Sequence, residues 1–504
     1  MLVRPALETL PYGSPLRVWT LSDSDAWLRH HMMFGAPDQA LTLLGSRASP
    51  ISDDLLRSMQ RALVLRQSGD FEGSNELLEW AELEAERRSV RSVSRTAGSF
   101  IINDRVLGYS PSPGELGMIS YYRMMNYLAL QDLAAAAVEA RRLSNRLDSA
   151  EGGEVPGCRE EAMLRYLAGI AFEAAGELND GLVALRRSEA SFRSCAADAG
   201  ISPPSGFGAD LYRVAHRLGV RDVADSARAH YSDAAVRYAP GAGEVLLVFE
   251  RGFVAHLTEE YIDVPLIVEE VSEFGEDDTD EIAKLAASIA TGITLGYRDR
   301  GTWGSSVRDG QYGRRRPVDI DDVYFLRLAW PGIRRDSPQA LSIRVLTDTD
   351  SAAAARVGDL SAVAEHDLDA RRGGMLARLV TRGILKYVIS REMEKKAEEE
   401  GGRLLGTLTG FIANAAASEL ERADTRSWSL LPDEVSVARL TLPEGNHRLR
   451  VQSLGPGGEL SGTIELGTVQ VGAGRMTVVH HRLWADDLSG LTLPGGEEGV
   501  ETAP

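Results

Sequence analysis

Imidazoles and carboxylates that lie close together are the first places to look for acid–base or metal chemistry in this chain. His366-Asp367-Leu368-Asp369 is the best such cluster: on a helix His366 and Asp369 share one face, near Asp359. A helix-surface pair accounts for that spacing without a substrate. His30-His31 reads as helical beside Met32-Met33, where adjacent rings point about 100° apart and cannot close on one ion. His480-His481 reads as strand, where neighbours project from opposite faces. Glu419, Glu421 and Asp424 lie among Arg422 and Arg426, a charge cluster that serves either as an ion network locking a helix to the strands after it or as a surface run. Cys158 and Cys195 are too few for a disulfide framework, and neither belongs to a C-x-x-C pair. The chain has no H-E-x-x-H, no G-x-S-x-G, no phosphate-binding G-x-x-x-x-G-K-[ST] and no G-x-G-x-x-G opening a helix after a strand. No catalytic, cofactor-binding or metal-binding residue is therefore expected.

Composition narrows the classes further. At 504 residues the chain is too long for one compact core. Its 43% apolar and 26% charged residues are ordinary for a folded protein. A net charge of −19 disfavours binding to nucleic acid or to an anionic membrane surface. The one basic run, Arg314-Arg315-Arg316, lies beside Asp319, Asp321 and Asp322 and reads as a solvated, partly self-neutralised loop. No run of about 18 apolar residues is present, so no spanning helix is expected. The nearest candidate, Leu404 to Ala417, is short and carries Thr407, Thr409 and Asn414, as a buried helix would. Met1-Leu2-Val3-Arg4-Pro5 shows no apolar signal-peptide core and no small-residue cleavage site.

The elements that must position these residues fall into distinct textures. Over 1–240, apolar residues recur with helical spacing, and one turn signature repeats. Gly35-Ala-Pro-Asp-Gln-Ala40 returns 34 positions later as Gly69-Asp-Phe-Glu-Gly-Ser74. It returns again as Gln131-Asp-Leu-Ala-Ala-Ala136 and Gly176-Glu-Leu-Asn-Asp-Gly181, with irregular spacing and with Gln131 in place of Gly. The first residue must leave the right-handed helical region to end a helix, and the last must be small for the next helix to approach closely. Leu44, Leu78 and Leu185 follow four positions later on the same face, and Gly169 is the small residue of a first helix. The pattern predicts a tetratricopeptide-like solenoid, closed by two amphipathic helices between Asp210 and Tyr238.

After Pro240 the texture changes. Strands are expected at 244–250, 262–268, 324–330 and 340–347, with a helix at 282–295 and a Gly/Arg-rich loop to Pro317. Residues 351–428 return to helix, read as two or three separate long helices, with one at 359–370 and another at 375–400. Period-two alternation from Val435 to Val478 predicts a small antiparallel β-module of sandwich type over 429–486, followed by a disordered acidic tail at 487–504. The expected fold class is thus α+β and multidomain: solenoid at 1–240, β-rich region at 241–350, long helices at 351–428, then the β-module.

Several runs resemble a bacterial family of uncharacterised tetratricopeptide-repeat-containing envelope proteins, usually outer-membrane lipoproteins. They are Ser68-Gly-Asp-Phe-Glu-Gly-Ser-Asn75, Ser94-Arg-Thr-Ala-Gly-Ser-Phe-Ile-Ile-Asn-Asp104, and Tyr121-Tyr-Arg-Met-Met-Asn-Tyr-Leu-Ala-Leu130 leading to Val138-Glu-Ala-Arg-Arg142. Farther on come Val248-Phe-Glu-Arg-Gly252, Met375-Leu-Ala-Arg378 with Gly383-Ile-Leu-Lys386, Ala423-Asp-Thr-Arg-Ser-Trp428 with Leu431-Pro432, and Leu442-Pro-Glu-Gly445. The Asp-Thr-Arg-Ser-Trp and Asn-Asp segments are the most specific. The resemblance implies a periplasmic, outer-membrane-associated protein and supplies no reaction. The family's lipoprotein signal and lipidated Cys have no counterpart here, and Ser112-Pro-Gly-Glu-Leu116 departs from its usual Tyr-Glu-Arg type.

The leading expectation is a non-catalytic scaffold whose helical array holds a protein or peptide partner in a concave groove. The candidate groove residues are Tyr121, Arg123, Asn126, Tyr127, Arg165 and Tyr166. A rival is an accessory activator or enzyme of cell-wall or outer-membrane assembly. Its site would lie between the central strands and the 351–428 helices, lined by Asp359, His366, Asp369 and Arg426. A third reading is a self-assembling subunit that packs its long helices against copies of itself.

Overall fold

The computed structural model describes residues 23–45, 54–93, 108–149, 158–199, 201–232, 241–267, 271, 274–275, 278–298, 323–335, 342–399 and 423–484. The amino-terminal part is a run of helical hairpins: α1 (Asp23–Met33) with α2 (Pro37–Gly45), α3 (Asp54–Gln67) with α4 (Phe71–Val93), and α5 (Pro113–Ala129) with α6 (Leu133–Ser149). Then come α7 (Cys158–Ala174) with α8 (Leu178–Ala199) and α9 (Phe207–Leu218) with α10 (Arg221–His230).

Each hairpin turns on a residue of positive φ: Gly35 at 65°, Gly69 at 83°, Gln131 at 61°, Gly176 at 80° and Gly219 at 75°. At each, the next N–H reaches back to close the helix end, as in Asp70 N to Leu65 O at 3.0 Å and Glu177 N to Phe172 O at 2.8 Å. Gln131 tolerates the left-handed conformation while its own amide donates to Leu128 O at 3.1 Å. The small residues five positions on, Ala40, Ser74, Ala136 and Ala224, are buried. Between α7 and α8 the approach is closest: a Cβ on Gly169 would meet Leu185 Cγ at 2.9 Å.

The strands are β1 (Ala242–Arg251), β2 (His256–Ile267), β3 (Val323–Arg334), β4 (Ser342–Leu346), β5 (Ser351–Ala353), β6 (Ala355–Asp359), β7 (Glu434–Pro443), β8 (Gly445–Leu454), β9 (Leu460–Val471) and β10 (Met476–Leu483). The helices α11 (Thr279–Arg298) and α12 (Leu360–Glu399) complete the described elements. One sheet has the order β10-β1-β7-β6, another β5-β4-β8-β9, and β2 pairs with β3. The two larger sheets pack face to face through Val245, Leu247, Phe249, Val345, Leu440, Val451 and their neighbours. The other face of β1 and β7, with Leu246, Val248, Val435 and Val437, joins the core of the helical array. Helices, sheet and second sheet therefore form successive layers.

Several sequence expectations change. The carboxy-terminal strands do not form an antiparallel module of their own: β10 runs parallel to β1, and β8 pairs with β4. The strands expected in 241–350, the residues of 351–428 and the strands of 429–486 thus share sheets. Residues 351–359 form β5 and β6, where helix was expected, because β6 completes the ladder on β7. The two helices expected after them are one, α12, running through Gly373-Gly374. Each Gly costs about 1 kcal/mol in a helix. Packing at both ends outweighs that: Leu360 joins the array core, while Leu376, Val380, Ile384 and Val388 pack on α11, β2 and β3. A Cβ on Gly383 would meet Leu326 Cδ2 at 2.2 Å, so this second packing is close. The basic run at 314–316, the residues 400–422 and the tail at 487–504 lie outside the described residues.

Candidate partner-binding cleft

The residues expected to line an open groove are occupied within the chain. Tyr121 and Tyr122, both buried on α5, donate their hydroxyls to Glu250 of β1 at 2.8 and 3.0 Å. Arg123 is buried between hairpins, paired with Glu82 at 2.8 Å and Glu139 at 2.9 Å. Asn126 is buried, bonding Ser74 at 3.0 Å and Asn75 at 2.9 Å and accepting from Arg66. Arg165 bridges Glu161 at 2.6 Å and Asp148 at 3.0 Å. Tyr166 donates to Asp210 and accepts from Arg439 of β7, both at 3.2 Å. Tyr127 is half-buried against the array core. The inner face of the array is thus filled by the chain's own sheet and by hairpin-to-hairpin contacts. Periodicity placed these side chains on first helices but could not show what would cover them.

A cleft of about 280 Å³ opens where α5, the β2–β3 pair, α12 and the segment 423–431 meet. The position is the one expected for the rival's site, but the residues differ. Asp359 is buried elsewhere, held by Arg335 at 3.1 Å, while His366 and Asp369 are exposed on α12. Of that set only Arg426 lines the cleft. Three of the runs quoted above, 112–116, 375–378 and 423–428, contribute to its wall.

Glu115 organises one side. It is the third residue of α5 in a capping box with Ser112, whose backbone N–H it accepts at 2.8 Å. It also accepts the Tyr109 hydroxyl at 2.6 Å and the Trp428 backbone N–H at 2.8 Å. Burial pushes the Glu115 carboxyl above its usual range, although those donors favour the charge. Arg426 grips Asp424 with two bonds, at 2.8 and 2.7 Å, and lies 5.9 Å from the Tyr109 ring centre. Asp367 Oδ2 accepts the Gly114 N–H at 3.3 Å, tying α12 to the start of α5.

The floor is apolar: Val254, Leu257, Ile333, Val363, Leu379 and Leu431. At the rim, Arg371 and Arg378 stand seven residues apart on one face of α12, and both are exposed. Among the described residues neither has a carboxylate within ion-pair distance. An apolar floor with a few fixed polar groups is the usual make-up of a ligand or peptide site.

The His30 and His31 rings lie edge to face with centres 5.9 Å apart. His30 packs against Phe34 with the rings tilted and their centres 4.5 Å apart. His480 faces the array, where its Nε2 lies 3.0 Å from Glu250 Oε1. Among the described residues no group of three or more His, Cys, Asp or Glu could hold a metal ion, and no helix is long and apolar enough to cross a membrane. Sequence reading missed Glu250, Arg482 and Glu115. The capping spacing Ser112-Pro-Gly-Glu115 was a visible signal for the last, whereas the others meet their partners only through the sheet.

No protein-family model matches the sequence, and no curated protein matches it. Solved structures of repeat proteins overlie part of the chain. MamA, residues 41 to the end, from Desulfovibrio magneticus RS-1 is 16% identical over 42% of this chain and 93% of its own, with a TM-score of 0.25. A putative kinesin light chain of Podosopora anserina with nearly identical TPR-like repeats is 14% identical over 45% of this chain and all of its own, with a TM-score of 0.27. BtubC from P. vanneervenii is 16% identical over 46% of this chain and 89% of its own, again at 0.27. At such TM-scores the repeat assignment rests on the turns and packing of this chain itself.

Proposed function

We propose that this protein is a non-catalytic protein-binding scaffold that receives its partner at the cleft beside α12, with the helical array serving as its frame. The observation that carries this reading is the arginine-rimmed apolar cleft. Arg371 and Arg378 give a positive rim to a chain of net charge −19, so the fitting partner is a peptide segment with an apolar anchor beside Asp or Glu. The carboxylates near the floor are already committed: Glu115 to three donors and Asp424 to Arg426. That commitment suits positioning better than proton transfer. An envelope location, implied by the resemblance alone, belongs to the same proposal, and cell fractionation tests it. Self-association is tested by light scattering of the full chain.

Peptides displayed on phage and selected on the full chain should be enriched in an aromatic or branched apolar residue next to an acidic one. Arg378→Glu, at an exposed position, should weaken the selected peptides about tenfold while leaving the circular dichroism unchanged. Selection of basic or featureless peptides, or equal binding by the variant, overturns the assignment. The full chain is required, because a fragment ending near residue 240 would expose the array's buried inner face.

A further inference from the structure

A second cavity lies between the α3–α4 turn and the edge strand β10. It measures about 230 Å³ and is lined by Arg66, Phe71, Glu250, His480, Arg482 and Trp484 among others. Its chemistry is polar and positive, unlike that of the cleft beside α12.

Arg66 is the decisive residue. It is only 7% exposed, yet it forms no ion pair among the described residues. One guanidinium nitrogen donates to Asn126, the plane lies 5.5 Å from the Phe71 ring centre and 5.7 Å from that of Tyr122, and Nε is buried without an acceptor. Buried charges are ordinarily paired or fully hydrogen-bonded.

The nearby carboxylate does not meet this need. Glu250 Oε1 accepts Tyr121 at 2.8 Å and faces His480 at 3.0 Å, while Oε2 accepts Tyr122 at 3.0 Å and Arg482 at 3.1 Å. Both oxygens are thus taken. With Glu250 bonded to Arg482, Arg66 has no carboxylate within ion-pair distance among the described residues and stands beside the cavity.

We infer that this cavity is a binding site for a small oxyanion, a phosphate or carboxylate group, held by the Arg66 guanidinium. Arg suits such a group because its planar fork matches two oxygens at once. The cavity also has room for a short organic body attached to the anion, against Trp484 and Phe71. This site is independent of the cleft beside α12 and stands whether or not a peptide binds there.

The test is calorimetric titration of the full chain with inorganic phosphate, with acetate, and with chloride as a control, at constant ionic strength. Phosphate or acetate should bind measurably more tightly than chloride, and whichever of the two is tighter identifies the source class. Gln67→Glu is the main variant, since Gln67 is exposed and lines the cavity, so a carboxylate there supplies the missing counter-ion. It should weaken oxyanion binding about tenfold or more without lowering the unfolding temperature. Arg66→Lys, which keeps the charge and loses the fork, should also weaken it. Oxyanions no tighter than chloride, or equal affinity in Gln67→Glu and wild type, overturn the inference.

Discussion

The two faces of the β10-β1-β7-β6 sheet meet their neighbours with different chemistry. Toward the second sheet the contact is apolar, built from Val245, Leu247, Phe249, Leu440, Leu442 and Val451. Toward the array, apolar contacts are interrupted by buried charges and hydroxyls. Glu250 gathers Tyr121, Tyr122, His480 and Arg482; Arg439 meets Asp210 at 2.5 Å and Glu244 at 3.2 Å, with Arg213 reaching the same two carboxylates at 2.6 and 3.0 Å. Hydrophobic contact is non-directional and tolerates sliding. A buried ion cluster is satisfied in one arrangement only, so it fixes which hairpin faces which strand. Burial alone would raise the Glu250 carboxyl, but His480, Arg482 and Arg66 hold it below the usual carboxylate range, so the cluster stays ionised.

This contrast can be broken at both faces. The largest effect is expected from Glu250→Gln, a near-isosteric change that leaves Arg482 without its carboxylate. It should cost about 3–5 kcal/mol in urea unfolding. A loss below about 1 kcal/mol would mean the cluster does not lock the array to the sheet. A conservative swap on the opposite face, Leu442→Met, should cost under about 1.5 kcal/mol by the same measurement, because volume and apolarity are kept. If it costs as much as the Glu250 change, the two faces do not differ in the way described.

The smallest effect is a pH slope confined to the array side. His256, at the start of β2, is 1% exposed; burial first, then Arg29 and Arg334, lower its pKa to about 4. The unfolded imbalance sets the sign: between pH 6.5 and 4 the unfolded chain binds a proton there that the folded chain does not. His256 therefore favours folding less as pH falls through that window, by about 1.4 kcal/mol per pH unit at most. In His256→Gln the unfolding midpoint should depend less steeply on pH across it. An unchanged slope would assign the dependence to other groups.

Much of this fold could be read locally. The four turns at Gly35, Gly69, Gln131 and Gly176 were visible because each needs a residue able to take positive φ and a small residue five positions on. Gly219 with Ala224 obeys the same rule, so the closing pair of helices is a fifth hairpin of the same kind. The strands at β1, β2, β3 and β4 were also legible from their apolar runs and flanking turns. Glu115 could have been found from its capping-box spacing, because that motif is local as well.

The candidate sites were not legible, for a reason of distance along the chain. Tyr121 and Glu250 are 129 residues apart, Glu250 and Arg482 are 232 apart, and Trp428 reaches Glu115 across 313. Side-chain periodicity says that Tyr121, Arg123, Asn126 and Tyr166 belong to first helices of their hairpins, but it says nothing about what lies over them. The sequence by itself determined the repeating hairpins, the strand segments and the absence of familiar reactive motifs, because these depend on neighbours within a few turns. Only the tertiary structure decided that the array closes on its own sheet, that β10 joins β1 in parallel, and that a buried Arg66 with no ion pair among the described residues stands beside a cavity. Those outcomes depend on which distant surfaces bury each other, and burial is settled by the whole chain at once.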